Sequence, residues 1–339
     1  METGRFLDFM QPIIAKMMQS ALIAEESTGI ELVASGAAGE RLDRFLAQAL
    51  PQYSRTRLQR WIELGAVRWD ERILGRRHRL LGIERLSVEP QPLEAEQAFG
   101  PEPVAFEVMH EDTSLLVVNK HAGLVVHPAA GNWHGTLLNG LLDRFRAQAS
   151  LPRAGIVHRL DRDTSGLMVV ARNEQAMSSL GTQLAERSMG RRYLALVQGR
   201  AESSGSIDAP LARDPSNRLR FAVTREGAGK TARTDFVRLA DGLIDKRPVS
   251  LLQCRLHTGR THQIRVHLRH IGLPIVGDVL YGGLADPRCS RQALHAWRLA
   301  LVHPASGQQQ EWRVQPPADM QELFRAAGID LTACLDAWE

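Results

Sequence analysis

GIVHRLDRDTSGLMVVA, residues 155–171, sets two aspartates, two arginines and a histidine between apolar runs. Ile156–Val157 lead in and Gly166–Ala171 lead out, the pattern of a charged turn between two buried strands. Charge at the mouth of a core is costly unless something pairs with it. Asp161 and Asp163, flanked by Arg159 and Arg162, therefore call for partners elsewhere in the chain.

The segments around this stretch are rich in strands. SLLVVNK (114–120) and GLVVHP (123–128) predict two strands separated by His121-Ala122-Gly123, and TLLNGLLDRF (136–145) predicts a helix. Further strand-like runs fall at 167–171, 193–198, 207–211, 219–223, 232–239 and 250–256. They lack the regular β-α alternation of a doubly wound sheet, so the fold class is α+β. PQPLEAEQAFGPEPV (90–104), rich in proline and acids and without periodicity, reads as a linker.

Ahead of it, GERLDRFLAQAL (39–50) places Leu42, Phe45, Leu46 and Ala49 on one helical face, and Pro51 stops it. Ser54 then caps a second helix carrying Leu58, Trp61, Ile62 and Leu64, which Gly65 ends. Short strands complete a small module by Pro90. The expected layout is an N-terminal extension (1–30), a module (31–90), a linker (91–103), a larger domain (104–320) and a tail (321–339). Met17 and Met18 are alternative starts.

At 339 residues, 44% hydrophobic and 24% charged, the chain has the composition of a globular protein. Its net charge of +4 comes from arginine, since lysine occurs only at 16, 120, 230 and 246. Eight arginines stand against three acids between Tyr53 and Arg79. Arg57 and Arg60 share a helix face, and with Arg55, Arg76 and Arg77 they are candidates for tracking a phosphate backbone. Three cysteines without short spacing (254, 289 and 334) argue against a disulfide framework or cysteine zinc site. Lys16 interrupts the apolar stretch MQPIIAKMMQSALIA, so no membrane span is expected and the protein reads as cytoplasmic.

Three chemistries could use Asp161. A hydrolytic carboxylate pair with Asp163 fits poorly, because the two are only two residues apart. A metal site lacks its usual spacings, although His257, His262, His267 and His270 cluster in sequence. The third use is a single nucleophilic or anion-stabilising aspartate, which needs a buried cation beside it. RLHTGRTHQIRVHLRHIGLPIVGD (255–278) offers Arg260, Arg265 and Arg269, the last two on one face if the segment is helical, with Ile264 and Leu268 inward.

These residues carry a resemblance. The RLDRFL…SRTRLQRWIELGAV pattern resembles the S4 RNA-binding domain, departing from it at Trp69-Asp70-Glu71, where a Val-Asn-Gly turn is usual. GIVHRLDRDTSGLMVVA resembles the His-Arg-Leu-Asp motif of the RluA-type pseudouridine synthases. VVNKHAGLVVHPAAGNWHGTLLNGLL, RRYLALVQG, TGRTHQIRVHLRHIGLPIVGDVLYGG and RQALHAWRLALVHP resemble its other blocks in order. His121, where proline is usual, is a visible departure. The overall pattern is most similar to the subgroup that acts on large-subunit ribosomal RNA.

The resemblance implies an S4-like module followed by a catalytic domain with a mixed, mainly antiparallel sheet flanked by helices. It implies isomerisation of a flipped-out uridine in 23S ribosomal RNA, naked or in a pre-ribosomal particle, by a monomer with no cofactor and no metal. Another structured RNA such as tRNA, or RNA binding without catalysis, are the alternatives. Asp161 would be the essential aspartate, Tyr193 the tyrosine that stacks on uracil and a candidate to assist C5 deprotonation, and Arg265 the arginine paired with the aspartate. Arg159, His158 and Leu294 would contact the nucleotide. Asp163 would cap backbone N–H groups of its turn, and Lys230, with Arg233 and the basic stretch at 218–221, would grip RNA from a hairpin.

Overall fold

The computed structural model describes residues 29–70, 72–91, 99–129, 131–225 and 227–336. Most of the expected extension and linker lie outside the described residues. The chain divides into two compact units, Met1–Ala98 and Phe99–Glu339.

In the first unit, β1 (Ile30–Val33) is followed by α1 (Leu42–Ala49), α2 (Arg55–Glu63), β2 (Val67–Trp69), β3 (Arg72–Ile73) and β4 (Arg85–Val88). The four strands make an antiparallel sheet in the order β1-β4-β2-β3. Leu42, Leu46, Leu58, Trp61 and Ile62 from the helices join Val67, Leu86 and Val88 from the strands in one core. α1 stops before Pro51, whose ring disfavours a helical Leu50, and the Ser54 side chain accepts the Arg57 N–H as the expected cap. Leu64, expected among the apolar residues of the second helix, is 54% exposed, because α2 ends at Glu63 and Gly65 turns the chain away at φ +74. Ala49 is likewise exposed, whereas Asp43 on the same helix is buried. Asp70 takes φ +52 in the tight turn between β2 and β3, a conformation aspartate tolerates better than most residues.

The second unit is built on a nine-stranded sheet. Its first half comprises β5 (Glu107–Glu111), β6 (Leu115–Lys120), α3 (Leu137–Arg144), β7 (Ser165–Ala171), α4 (Glu174–Ala185) and β8 (Gly190–Gln198). There follow β9 (Ser204–Asp208), a separate hairpin of β10 (Leu211–Arg213) and β11 (Phe221–Val223), then β12 (Arg233–Ile244) and β13 (Arg247–Leu256). The last elements are α5 (Gln263–His270), β14 (Leu294–Val302), β15 (Gln309–Arg313), α6 (Ala318–Ala326) and α7 (Leu331–Asp336). The sheet order is β5-β6-β7-β14-β8-β13-β12-β9, with β15 on β14, and only β7 and β14 run parallel. It is the mixed, mainly antiparallel sheet that was expected. No helix among the described residues is long and apolar enough to cross a membrane.

Four expectations need correction. GLVVHP forms no strand: the Val125 and Val126 carbonyls instead accept the Leu137 and Leu138 N–H groups at the start of α3, which a helix leaves without internal partners. The charged turn has a strand on one side only, since Ile156 makes a lone bridge to Val170 and residues 157–161 are irregular. The run at 207–211 is broken between β9 and β10. The expected tail is part of the fold, with Leu323, Phe324, Ala327 and Ile329 buried in the main core.

Glycines at both ends of the charged stretch hold its backbone against neighbouring strands. A Cβ on Gly155 would lie 2.0 Å from the Ala171 carbonyl oxygen, and one on Gly166 would lie 2.2 Å from that of Ala296. Gly166 also sits at φ +112, so it alone permits the close approach of β7 to β14. Gly166→Ala is expected to lower unfolding free energy by at least ~2 kcal/mol in denaturant titration; unchanged stability would show that the two strands can separate without cost.

Candidate active site

The segment 161–164 closes a turn in which Thr164 N–H donates to the Asp161 carbonyl at 3.1 Å. Buried side chains hold it from behind. Lys120, with no exposed surface, donates from Nζ to the carbonyls of His121, Leu124 and Arg162 at 2.9, 2.9 and 2.8 Å. Burial pulls its pKa down to about 7, against the opposing pull of Asp163 and Asp161. Arg291 donates to the Asp163 carbonyl at 3.0 Å and clasps Asp319 with its other nitrogens. The Asp161 backbone thus stands on a fixed platform.

Its side chain meets α5. Arg265 Nη1 donates to Asp161 Oδ2 at 3.1 Å, across 104 positions of sequence. The same guanidinium makes a two-pronged contact with Asp278, at 2.7 Å from Nε and 2.9 Å from Nη2. Side-chain exposures are 7% for Arg265, 2% for Asp278 and 16% for Asp161. Burial disfavours charge on Arg265, but the hydrogen bonds and charge of Asp278, then of Asp161, hold its pKa above the usual range. Asp278 locks the arginine in place, and the arginine presents one remaining nitrogen to the more accessible Asp161. Arg260 and Arg269 are engaged elsewhere, Arg269 donating to the Tyr281 carbonyl and Arg260 to that of Thr231.

Asp161 and Arg265 line a cavity of about 320 Å³ together with Tyr193, Leu294, His158 and Arg159, within the range of small-molecule sites. Five arginines (153, 159, 191, 260 and 265) line it against the single acid Asp161, which favours a polyanionic ligand. Arg159 is exposed, whereas Leu294 and Tyr193 are buried at 4% and 5% exposure. Burial raises the Tyr193 phenol above its usual pKa, so it rests neutral. His158 is pushed by burial down to about 3, and its Nε2 accepts the Val169 N–H at 3.0 Å, so it braces β7.

Lys230 lies outside the cavity, exposed and bridging Leu211 through the backbone. One expected role is corrected. The Asp163 carboxylate is held by Arg162 at 3.0 and 3.2 Å instead of capping N–H groups, and it does not line the cavity, which leaves a two-carboxylate hydrolase without its second acid.

The RNA pseudouridylate synthase family profile matches residues 114–270, and the S4 domain profile matches residues 40–76. The chain is 46% identical to ribosomal large subunit pseudouridine synthase D of Nitrosomonas europaea, over 92% of both chains. The chain belongs to the RNA pseudouridylate synthase family. It is 44% identical to the protein of the same name from Xanthomonas campestris, over 92% of this chain and 96% of that one. The solved structure of human RNA pseudouridylate synthase domain containing 1 is similar at 31% identity and a TM-score of 0.51, covering 64% of this chain and 85% of that one.

In this pseudouridine synthase the S4-domain arginines have internal partners. Arg55 donates to buried Asp43 at 2.8 Å, as do Arg41 and Gln59. Burial alone would raise the Asp43 carboxyl, but these bonds hold it well below the usual range. The Arg57 guanidinium lies 5.2 and 5.3 Å from the ring centres of Tyr53 and Trp61 and donates to the Gln91 carbonyl. Arg60 and Arg76 both approach Glu63, while Arg77 is exposed. The synthase's clustered histidines are also engaged: His257 with Asp235, His262 with Tyr281, and His267 with Thr234 and the Ala209 carbonyl.

Lys120, Asp278, Arg191 and His262 were missed as site residues. Asp278 had a signal, being the lone acid that closes the apolar run LPIVG. Lys120 had a weaker one, as one of only four lysines, at the end of a buried strand.

Proposed function

We propose that the chain converts specific uridines to pseudouridine in large-subunit ribosomal RNA, with Asp161 as the essential group acting on a flipped-out nucleotide. The observation that carries this reading is the 3.1 Å pairing of Asp161 with Arg265 inside an arginine-lined cavity that also holds Tyr193. The names of the relatives supply the RNA class.

Extruding a stacked uridine costs a few kcal/mol. Stacking on an aromatic side chain returns about 1–3 kcal/mol, and the presence of Tyr193 in the cavity lining supports that role for it. Asp161 then acts as the N1–C1′ bond breaks; the base turns and a C5–C1′ bond forms. The C5 hydrogen leaves as a proton and N1 gains one, so the product is an isomer. No electron is exchanged and no water is consumed, so the chemistry calls for no cofactor. A neutral Tyr193 supports stacking better than it supports proton abstraction.

The test is to map pseudouridines in ribosomal RNA from cells lacking the gene. Loss of specific large-subunit positions supports the proposal, and an unchanged map contradicts it. The S4 unit would supply phosphate contacts. Deleting residues 1–98 is expected to weaken RNA affinity and to make its logarithmic salt dependence shallower; the same slope across a salt series would assign the phosphate contacts to the catalytic unit.

A further inference from the structure

His262 stands immediately before α5 at φ +57 and ψ +20, a left-handed conformation that a non-glycine residue keeps only where its surroundings fix it. Tyr281, 2% exposed, does much of the fixing. Its phenolic oxygen receives the Phe221 backbone N–H at 2.8 Å and lies 2.8 Å from His262 Nδ1. The rings of Phe221 and Tyr281 meet the imidazole edge-on at 5.9 and 5.6 Å. The Arg265 guanidinium carbon lies 4.9 Å from the centre of the Tyr281 ring. The group that orients His262 is therefore packed on the arginine that faces Asp161.

Counting protons assigns the tautomer. A backbone N–H only donates, so the phenolic oxygen accepts from Phe221, and among the described residues His262 Nδ1 is the acceptor within reach of the phenolic proton. Burial lowers the imidazole pKa from its usual value, so the ring is neutral and its proton sits on Nε2. Nε2 has no hydrogen-bond partner among the described residues. His262 lines the cavity and Tyr281 does not, which leaves Nε2 as the ring's free polar atom for whatever the cavity holds.

We propose that the His262 Nε2–H donates a hydrogen bond to an exocyclic carbonyl oxygen of the pyrimidine in the cavity, with Tyr281 as its positioning residue. The inference rests on the reading that the cavity receives a uridine. It gives the site a way to recognise the base by its keto groups, beyond stacking, which every base satisfies. Through the Phe221 N–H, it also ties that recognition to the β10–β11 hairpin.

The test uses the full-length protein in single-turnover assays on a large-subunit RNA fragment bearing uridine, 2-thiouridine or 4-thiouridine at the target. Sulfur accepts hydrogen bonds weakly, so the wild type should react about 3- to 10-fold more slowly with one of the two thio substrates. His262→Ala should slow the uridine reaction by a similar factor and abolish that discrimination. His262→Gln, whose amide nitrogen reaches the Nε2 position, should restore both. Tyr281→Phe should slow the wild type yet add little to His262→Ala, with melting curves confirming that each variant is folded. Wild-type discrimination in His262→Ala, or an equal effect of Tyr281→Phe in both backgrounds, overturns the inference alone. No pseudouridine from the wild type on the uridine substrate overturns the functional reading, and this inference with it.

Discussion

Arg265→Met is expected to lose isomerisation and to destabilise the catalytic unit by about 3–5 kcal/mol. Methionine fills much of the arginine's volume but supplies no donor. Asp278, with its side chain 2% exposed, would keep a buried carboxylate with neither of the two bonds that now hold it, and Asp161 would lose its 3.1 Å partner. The Tyr281 ring would lose the guanidinium stacked on it. Removing one member of a buried ion pair leaves the other uncompensated, and that accounts for most of the expected cost. Chemical denaturation measures it. A variant as stable as wild type would mean that water reaches Asp278 freely.

Asp161→Asn is expected to separate binding from chemistry. The amide oxygen can still accept from Arg265, and Asp278 remains to neutralise the guanidinium, so the fold and RNA affinity should change little. Turnover should fall by at least ~10³-fold, because the amide offers neither a nucleophile nor a negative charge to the electron-poor sugar from which the base departs. Filter binding and single-turnover rates on the same RNA check both halves. A parallel fall in affinity and rate would assign Asp161 to substrate binding.

These expectations rest on residues that differed in how far the sequence exposed them. The charged stretch 155–171 announced itself because its polar residues interrupt an apolar pattern, and the Ser54 cap and the Pro51 stop are local chemistry that a few residues decide. Arg265 was legible as a member of a basic segment, but Arg269 on the same face was equally eligible. What separates them is Asp278, 13 positions on, which clasps one and not the other. Lys120 looked like the polar end of a strand, and only the convergence of three carbonyls, one of them 42 residues away, makes it the support under the Asp161 turn. The expected strand at GLVVHP failed for a related reason. Its β-prone residues give their carbonyls to the first turn of the following helix, a pairing that local propensity does not foresee. Charge density on the S4 arginines was legible, whereas their engagement with Asp43, Glu63, Tyr53 and Trp61 required the fold.

Linking C1′ to C5 expels the C5 hydrogen, so the most direct measurement is tritium release from large-subunit RNA labelled at uridine C5. The wild type should release tritium to water, leave the strand intact and free no uracil, while Asp161→Asn should release none above background. Tritium release by Asp161→Asn at the wild-type rate, or free uracil from the wild type, would contradict the account.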